Sequence, residues 1–168
     1  MLNNIFNEND MLKLQTLLRA NKQTITVAES CTGGLVASMI TKVSGSSDIF
    51  NGSIVTYSNK IKNQELNVKN ETLEKYGAVS CEVVNEMLAG VIKKFDANFA
   101  IAISGIAGPN GGTKNKPVGT VVIGISDSND HKIVNVYNFS GSREEVQIHA
   151  AKIALKEISK FIQESLDK

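Results

Sequence analysis

The chain has 168 residues, 42% of them apolar, with 18 Lys plus Arg against 17 Asp plus Glu. At this length a chain buries roughly two-thirds of the surface its unfolded form exposes, so residues 1–168 read as a single domain with its own core, and a disulfide- or metal-stapled scaffold is excluded. The net charge of +1 is spread along the chain, which argues against a nucleic-acid partner. Apolar runs such as 99–103 fall far short of the ~20 residues a membrane span needs, so no membrane partner is expected either. The first ten residues carry neither a basic leader nor an apolar signal core, and the protein is expected in the cytoplasm. Cys31 and Cys81 form no C-x-x-C pair, and His131 and His149 are the only histidines, so no metal site is expected.

Apolar residues at 11, 12, 14, 17 and 18 form a helical stripe, broken at Asn21. The β-branched segment 24–28 predicts a strand, Glu29 to Gly34 a tight turn, and Leu35, Val36, Met39, Ile40 and Val43 a helix. A second strand is expected over 52–57, ending in a polar, basic loop tip at 58–62. Asn70 is placed as the cap of a short helix closed by Gly77. Ser80 opens a longer one with apolar positions 83, 84, 87, 88, 91 and 92. Residues 98–103 read as a central strand covered on both faces, leading into the Gly-rich loop 104–112. Strands over 118–125 and 132–139 flank hairpin punctuation, and Ser142-Arg143-Glu144-Glu145 is a capping box for a long closing helix. This order predicts a three-layer α/β/α sandwich with a mixed, mainly parallel sheet.

In such sheets ligands gather beyond the carboxyl ends of the strands. Ser30, ahead of Gly33 and Gly34, sits at a helix start suited to an anion or an oxyanion, although a Ser there also serves as a plain cap. No histidine is placed to activate it, which leaves Lys60 and Lys62 as the basic side chains of the second loop. Either could act only with a depressed pKa, and both also fit as solvated charges. The third loop, with glycines at 105, 108, 111 and 112, could wrap a phosphate or sugar but matches neither the P-loop nor the dinucleotide fingerprint. Arg143 suits a phosphate or carboxylate, or simply the surface. Cys31 reads as packing, and neither histidine completes a Ser-His-Asp set.

Three strings, Ala28-Glu29-Ser30-Cys31-Thr32-Gly33-Gly34, Thr56-Tyr57-Ser58-Asn59 with Lys62, and Ile103-Ser104-Gly105-Ile106-Ala107-Gly108-Pro109 followed by Lys116-Pro117-Val118-Gly119-Thr120-Val121, occur in this order. With them the sequence resembles the CinA C-terminal domain family over nearly its whole length. Members of that family with an assigned activity are nicotinamide mononucleotide amidohydrolases. The resemblance implies Ser30 as nucleophile, Lys62 rather than Lys60 as its basic partner, and Tyr57 as a residue that orients or tunes the pair. Backbone N–H groups of Thr32, Gly33 and Gly34 are then candidates for oxyanion or phosphate stabilisation. Asn59, Ser104, Gly105, Ala107, Gly108 and Arg143 are expected to hold the ribose phosphate. The reaction needs no metal or organic cofactor.

Larger relatives carry an additional molybdopterin-binding type domain with a pyrophosphatase activity, which is expected to be absent here. Many place a second Arg where this sequence has Gln147, a departure that bears on phosphate affinity. A non-catalytic nucleotide-binding module of the same fold is the alternative reading, and a homo-oligomer is expected by analogy with intracellular enzymes.

Overall fold

The computed structural model describes residues 2–168. Asn7 opens α1 (Glu8–Ala20) through a reciprocal box with Asp10. There follow β1 (Ile25–Glu29), α2 (Leu35–Thr41), β2 (Ile54–Val55), α3 (Asn59–Leu66), α4 (Asn70–Tyr76) and α5 (Cys81–Phe95). The chain then runs through β3 (Phe99–Gly105), β4 (Thr120–Asp127), β5 (Lys132–Asn138) and α6 (Arg143–Leu166).

One sheet has the order β2-β1-β3-β4-β5. β1 pairs parallel with β2 and β3, whereas β4 pairs antiparallel with β3 and β5. All strands except β4 therefore point the same way, which is the mixed, mainly parallel sheet expected. Alternation along β3 divides the core into two layers. Phe99, Ile101 and Ile103 face α1, α2 and α6, and Ala100 and Ala102 face α3, α4 and α5. Among the described residues no helix is long and apolar enough to cross a membrane.

Two expectations are corrected. The strand over 52–57 shrinks to Ile54–Val55: before it the Gly52 carbonyl accepts from the Thr26 hydroxyl (2.7 Å), and after it the Thr56 carbonyl accepts from Lys62 Nζ (2.8 Å). The loop tip at 58–62 is the first part of α3, whose cap Ser58 accepts from the Ile61 N–H. The buried positions of α3 are Lys62 and Leu66, one turn apart, and a lysine at a core position hides the apolar period. A smaller shift makes Lys69 the residue before α4 and Asn70 its first residue; the Lys69 N–H is taken by Glu86 Oε1.

The position of α3 depends on a close helix contact. A Cβ on Gly90 of α5 would collide with the Leu66 carbonyl oxygen and lie 2.8 Å from the Leu66 carbonyl carbon and Cα. Gly90→Ala should therefore lower stability by about 1–3 kcal/mol through overpacking, despite a helix-propensity gain of about 1 kcal/mol. Urea midpoints measure this, and a variant as stable as wild type would show that the two helices separate at no cost.

Candidate active site

β1, β2, β3 and β5 all end at one edge of the sheet, so the segments after them meet there. β1 feeds the turn carrying Ser30, β2 feeds Thr56, Tyr57 and α3, β3 opens the Gly-rich loop, and β5 leads to Arg143 at the start of α6. α2 then packs on one face of the sheet and α3 on the other. A cleft of about 250 Å³ lies where these paths diverge. Larger hollows, of about 460 and 440 Å³, lie against α1 and beside α5, and neither contains Ser30 or Lys62.

Ser30, Tyr57, Lys62 and Arg143 line the cleft. So do Ser104, Gly105, Ala107 and Gly108 of the third loop. Lys62 is 1% exposed, and its Nζ lies 3.0 Å from Ser30 Oγ and 2.8 Å from the Thr56 carbonyl oxygen. Lys60, by contrast, is exposed. Burial drives the Lys62 pKa from 10.5 down to about 8, against a smaller opposing effect of Cys31. The two neighbours explain why the neutral amine fits. An ammonium has three N–H groups for two acceptors, whereas an amine can donate to the carbonyl and turn its lone pair toward the hydroxyl.

The turn holding Ser30 is built from inside. Glu29, fully buried, takes the Thr32 hydroxyl (2.6 Å) and Val36 N–H (2.9 Å) on Oε1 and the Ala37 N–H (3.1 Å) on Oε2. Its carboxylate thus caps α2 from the preceding strand. Gly33 and Gly34 adopt φ of +62° and +102°, the left-handed region that glycine enters without penalty. Their part is to form the turn, and the Gly33 N–H is taken by the Ser30 carbonyl (3.0 Å). Thr32, Gly33 and Gly34 lie outside the lining of the cleft. Asn59, at the exposed start of α3, lies instead in a separate hollow with Lys60 and Glu74.

Arg143 bridges two of the converging segments, donating from Nη1 to the Gly108 carbonyl and from Nη2 to Tyr57 Oη, each at 2.7 Å. This pins the exposed Tyr57 ring beside the cleft. Ser104 is buried and donates to the Ala78 carbonyl (2.8 Å). Gln147 does not line the cleft; its Nε2 donates to the Cys31 carbonyl (2.8 Å). The Cys31 thiol is pushed up to about 12, chiefly by burial, and so stays protonated. His131 pairs with Asp127 (2.8 Å) and His149 packs on the Phe139 ring, both away from the cleft. Among the described residues no group of three His, Cys, Asp or Glu side chains could hold a metal ion.

Sequence reasoning missed Glu29 as the support of the turn that carries Ser30. An acid ending a strand that is otherwise apolar apart from Thr26 was the available signal, because a buried carboxylate demands donors. The Thr56 carbonyl as partner of Lys62 had no sequence signal, since backbone atoms carry none.

A three-layer α/β domain with a buried Ser–Lys pair at the carboxyl ends of its strands is the class that fold and site define. The CinA C-terminal domain family model matches residues 8–162. A CinA-like protein of Thermotoga neapolitana is 50% identical over 148 residues, covering 88% of this chain and 36% of that protein. One from Prochlorococcus marinus is 51% identical over 162 residues, covering 93% and 38%. Among solved structures, a competence/damage inducible protein from Agrobacterium tumefaciens superposes with TM-score 0.87 at 33% identity, over 94% of this chain and 93% of that one. A CinA superfamily protein from Klebsiella pneumoniae gives 0.87 at 32%, over 92% and 96%. The chain belongs to the CinA C-terminal domain family. It spans little more than a third of the curated relatives it matches.

The buried lysine sets a pH dependence of stability. The folded protein releases the Lys62 proton near pH 8, whereas the unfolded chain holds it to pH 10.5. Between these values the unfolded state binds more protons, so Lys62 makes the fold more stable as pH rises. Cys31 opposes this above pH 9, because only the unfolded thiol ionises there. Both wild type and Lys62→Met contain that cysteine, so their difference isolates the lysine. The stability of wild type relative to Lys62→Met should rise on the order of 3 kcal/mol from below pH 8 to 10.5. Urea midpoints across the series measure it, and a flat difference would mean that Lys62 keeps its ordinary pKa.

Proposed function

We propose that the protein hydrolyses the carboxamide of nicotinamide mononucleotide to nicotinic acid mononucleotide and ammonia through a Ser30–Lys62 pair. The observation that carries the reading is the buried Lys62 amine, with a pKa near 8, 3.0 Å from Ser30 Oγ. A hydroxyl is a weak nucleophile until a neighbouring base takes its proton, and a lysine serves only when its pKa is brought near the working pH, so that an appreciable fraction is neutral.

The Ser30 oxygen attacks the carboxamide carbon as its proton passes to Lys62 Nζ. Collapse of the tetrahedral species breaks the C–N bond, and Lys62 returns the proton to the leaving nitrogen, which departs as ammonia. Water, deprotonated by Lys62, then attacks the ester carbon, and Lys62 passes that proton to Ser30 Oγ as its bond to carbon breaks and the acid leaves. Throughout, the Thr56 carbonyl holds one amine hydrogen and keeps the lone pair toward Ser30. The cleft lining includes Arg143 and no Asp or Glu, which favours an anionic substrate over free nicotinamide. The reading involves neither nucleic acid, membrane nor cofactor.

Ammonia release from the mononucleotide is the test. Lys62→Met should cost about 10²–10⁴ in kcat, the usual worth of a positioned base, and Ser30→Ala at least as much, both staying folded. In wild type kcat/KM should rise with pH and level off above about 8, since the neutral amine is the active form. A rate that falls through that range would mean a protonated lysine does the work. An inactive wild type that still binds the mononucleotide in a thermal-shift titration would mark a binding module.

Arg143→Ala should raise KM about tenfold or more, the worth of a charge-assisted hydrogen bond to an anion. Free nicotinamide, lacking the phosphate, should respond little to that substitution.

A further inference from the structure

The carbonyls from Glu29 to Thr32, at the end of β1 and in the turn after it, are satisfied by backbone N–H groups, with one exception. The Glu29 carbonyl accepts from Thr56 N–H, Ser30 from Gly33 N–H, and Thr32 from Leu35 N–H. Between them, the Cys31 carbonyl accepts from Gln147 Nε2, 116 residues away on α6. Among the described residues this is the hydrogen bond that ties the Ser30–Gly34 turn to α6. Gln147 is half-buried and lies one turn after Arg143, yet it stands outside the lining of the cleft.

We propose that Gln147 is a positioning residue for Ser30, its side-chain amide holding the Cys31 carbonyl and with it the turn that presents the nucleophile. The proposal rests on Ser30 being the nucleophile. Ser30 is joined to Cys31 by a planar peptide, and Cys31 to Thr32 by another, so orienting the Cys31 carbonyl restricts the dihedrals on both sides. Without the Gln147 donor that carbonyl, in a residue 5% exposed, must rotate toward another donor or remain unpaired. Either response moves the backbone adjoining Ser30, and a 3.0 Å contact to Lys62 leaves little tolerance for movement. Apolar packing of α2 on α6, through Val36, Ile40, Val146 and Ala150, keeps the two helices together. The amide therefore governs the angle of the turn rather than the fold.

A ligand-contacting role would predict something different. A Gln touching the phosphate lowers KM; one that holds the nucleophile raises kcat and leaves KM alone.

The test compares wild type with Gln147→Met, which keeps length and deletes the donor, and with Gln147→Arg, which restores one. Two rates are read: turnover of the mononucleotide, and covalent labelling by a fluorophosphonate. In the labelling step the Ser30 Oγ–P bond forms as P–F breaks, fluoride leaves, and the hydroxyl proton passes to Lys62. Gln147→Met should lower both kcat and the labelling rate about tenfold, with KM within about twofold, and Gln147→Arg should recover part of both. Urea midpoints check folding; should the Met variant unfold, Gln147→Asn, which keeps the amide but shortens its reach, carries the same comparison. Unchanged kcat and labelling in the Met variant overturn the proposal, as does a raised KM with unchanged labelling. A wild type that is labelled but releases no ammonia defeats the substrate reading alone, and the labelling rates still decide on Gln147. A wild type that neither reacts nor turns over overturns both.

Discussion

Burial of one amine organises the working end of this molecule. Water solvates a charged lysine far better than a protein interior does, so a side chain as enclosed as Lys62 either gives up its proton or finds acceptors for every N–H. The structure offers two, the Ser30 hydroxyl and the Thr56 carbonyl, and the pKa falls to about 8. The arrangement stabilises the form of lysine that can act as a base near neutral pH. Burial itself is produced by α3, which presents Lys62 and Leu66 to the interior while Gly90 lets α5 approach closely.

Several tethers keep the amine's partner in place. Glu29 anchors the turn carrying Ser30 to the first amides of α2, and Gln147 fastens the turn to α6. Arg143 links the Gly108 loop to Tyr57. These side chains come from different elements, and the sheet topology makes their meeting possible, because all strands except β4 terminate at the same edge. The two connections from β1 and β2 leave for opposite faces and open a cleft between them.

Much of this was legible in the chain. The central strand at 98–103, the helix opened by Ser80 and the capped final helix carry patterns strong enough to be read directly, and the order of elements implied the layers. Local pattern failed where a residue's role comes from distant neighbours. α3 was read as a loop tip because its buried face carries a lysine, and β2 was read too long: the Gly52 and Thr56 carbonyls on either side of it accept from the Thr26 and Lys62 side chains. Gly33 and Gly34 form a left-handed turn in which the Gly33 N–H is spent on the Ser30 carbonyl, a contact no local pattern announces.

The sequence by itself determined most of the elements, their stacking in three layers, and which polar strings lie at strand ends, since hydrophobic period and capping are local properties of the chain. It also carried the motifs that mark the CinA C-terminal domain family. Tertiary structure alone decided that Lys62 rather than Lys60 is enclosed, that its amine meets Ser30, and that Glu29 and Gln147 support the turn. The Lys62–Ser30 and Gln147–Cys31 contacts join residues 32 and 116 positions apart, and all of these facts depend on the loss of water around the groups. Dehydration and through-space contact exist only once the layers have closed.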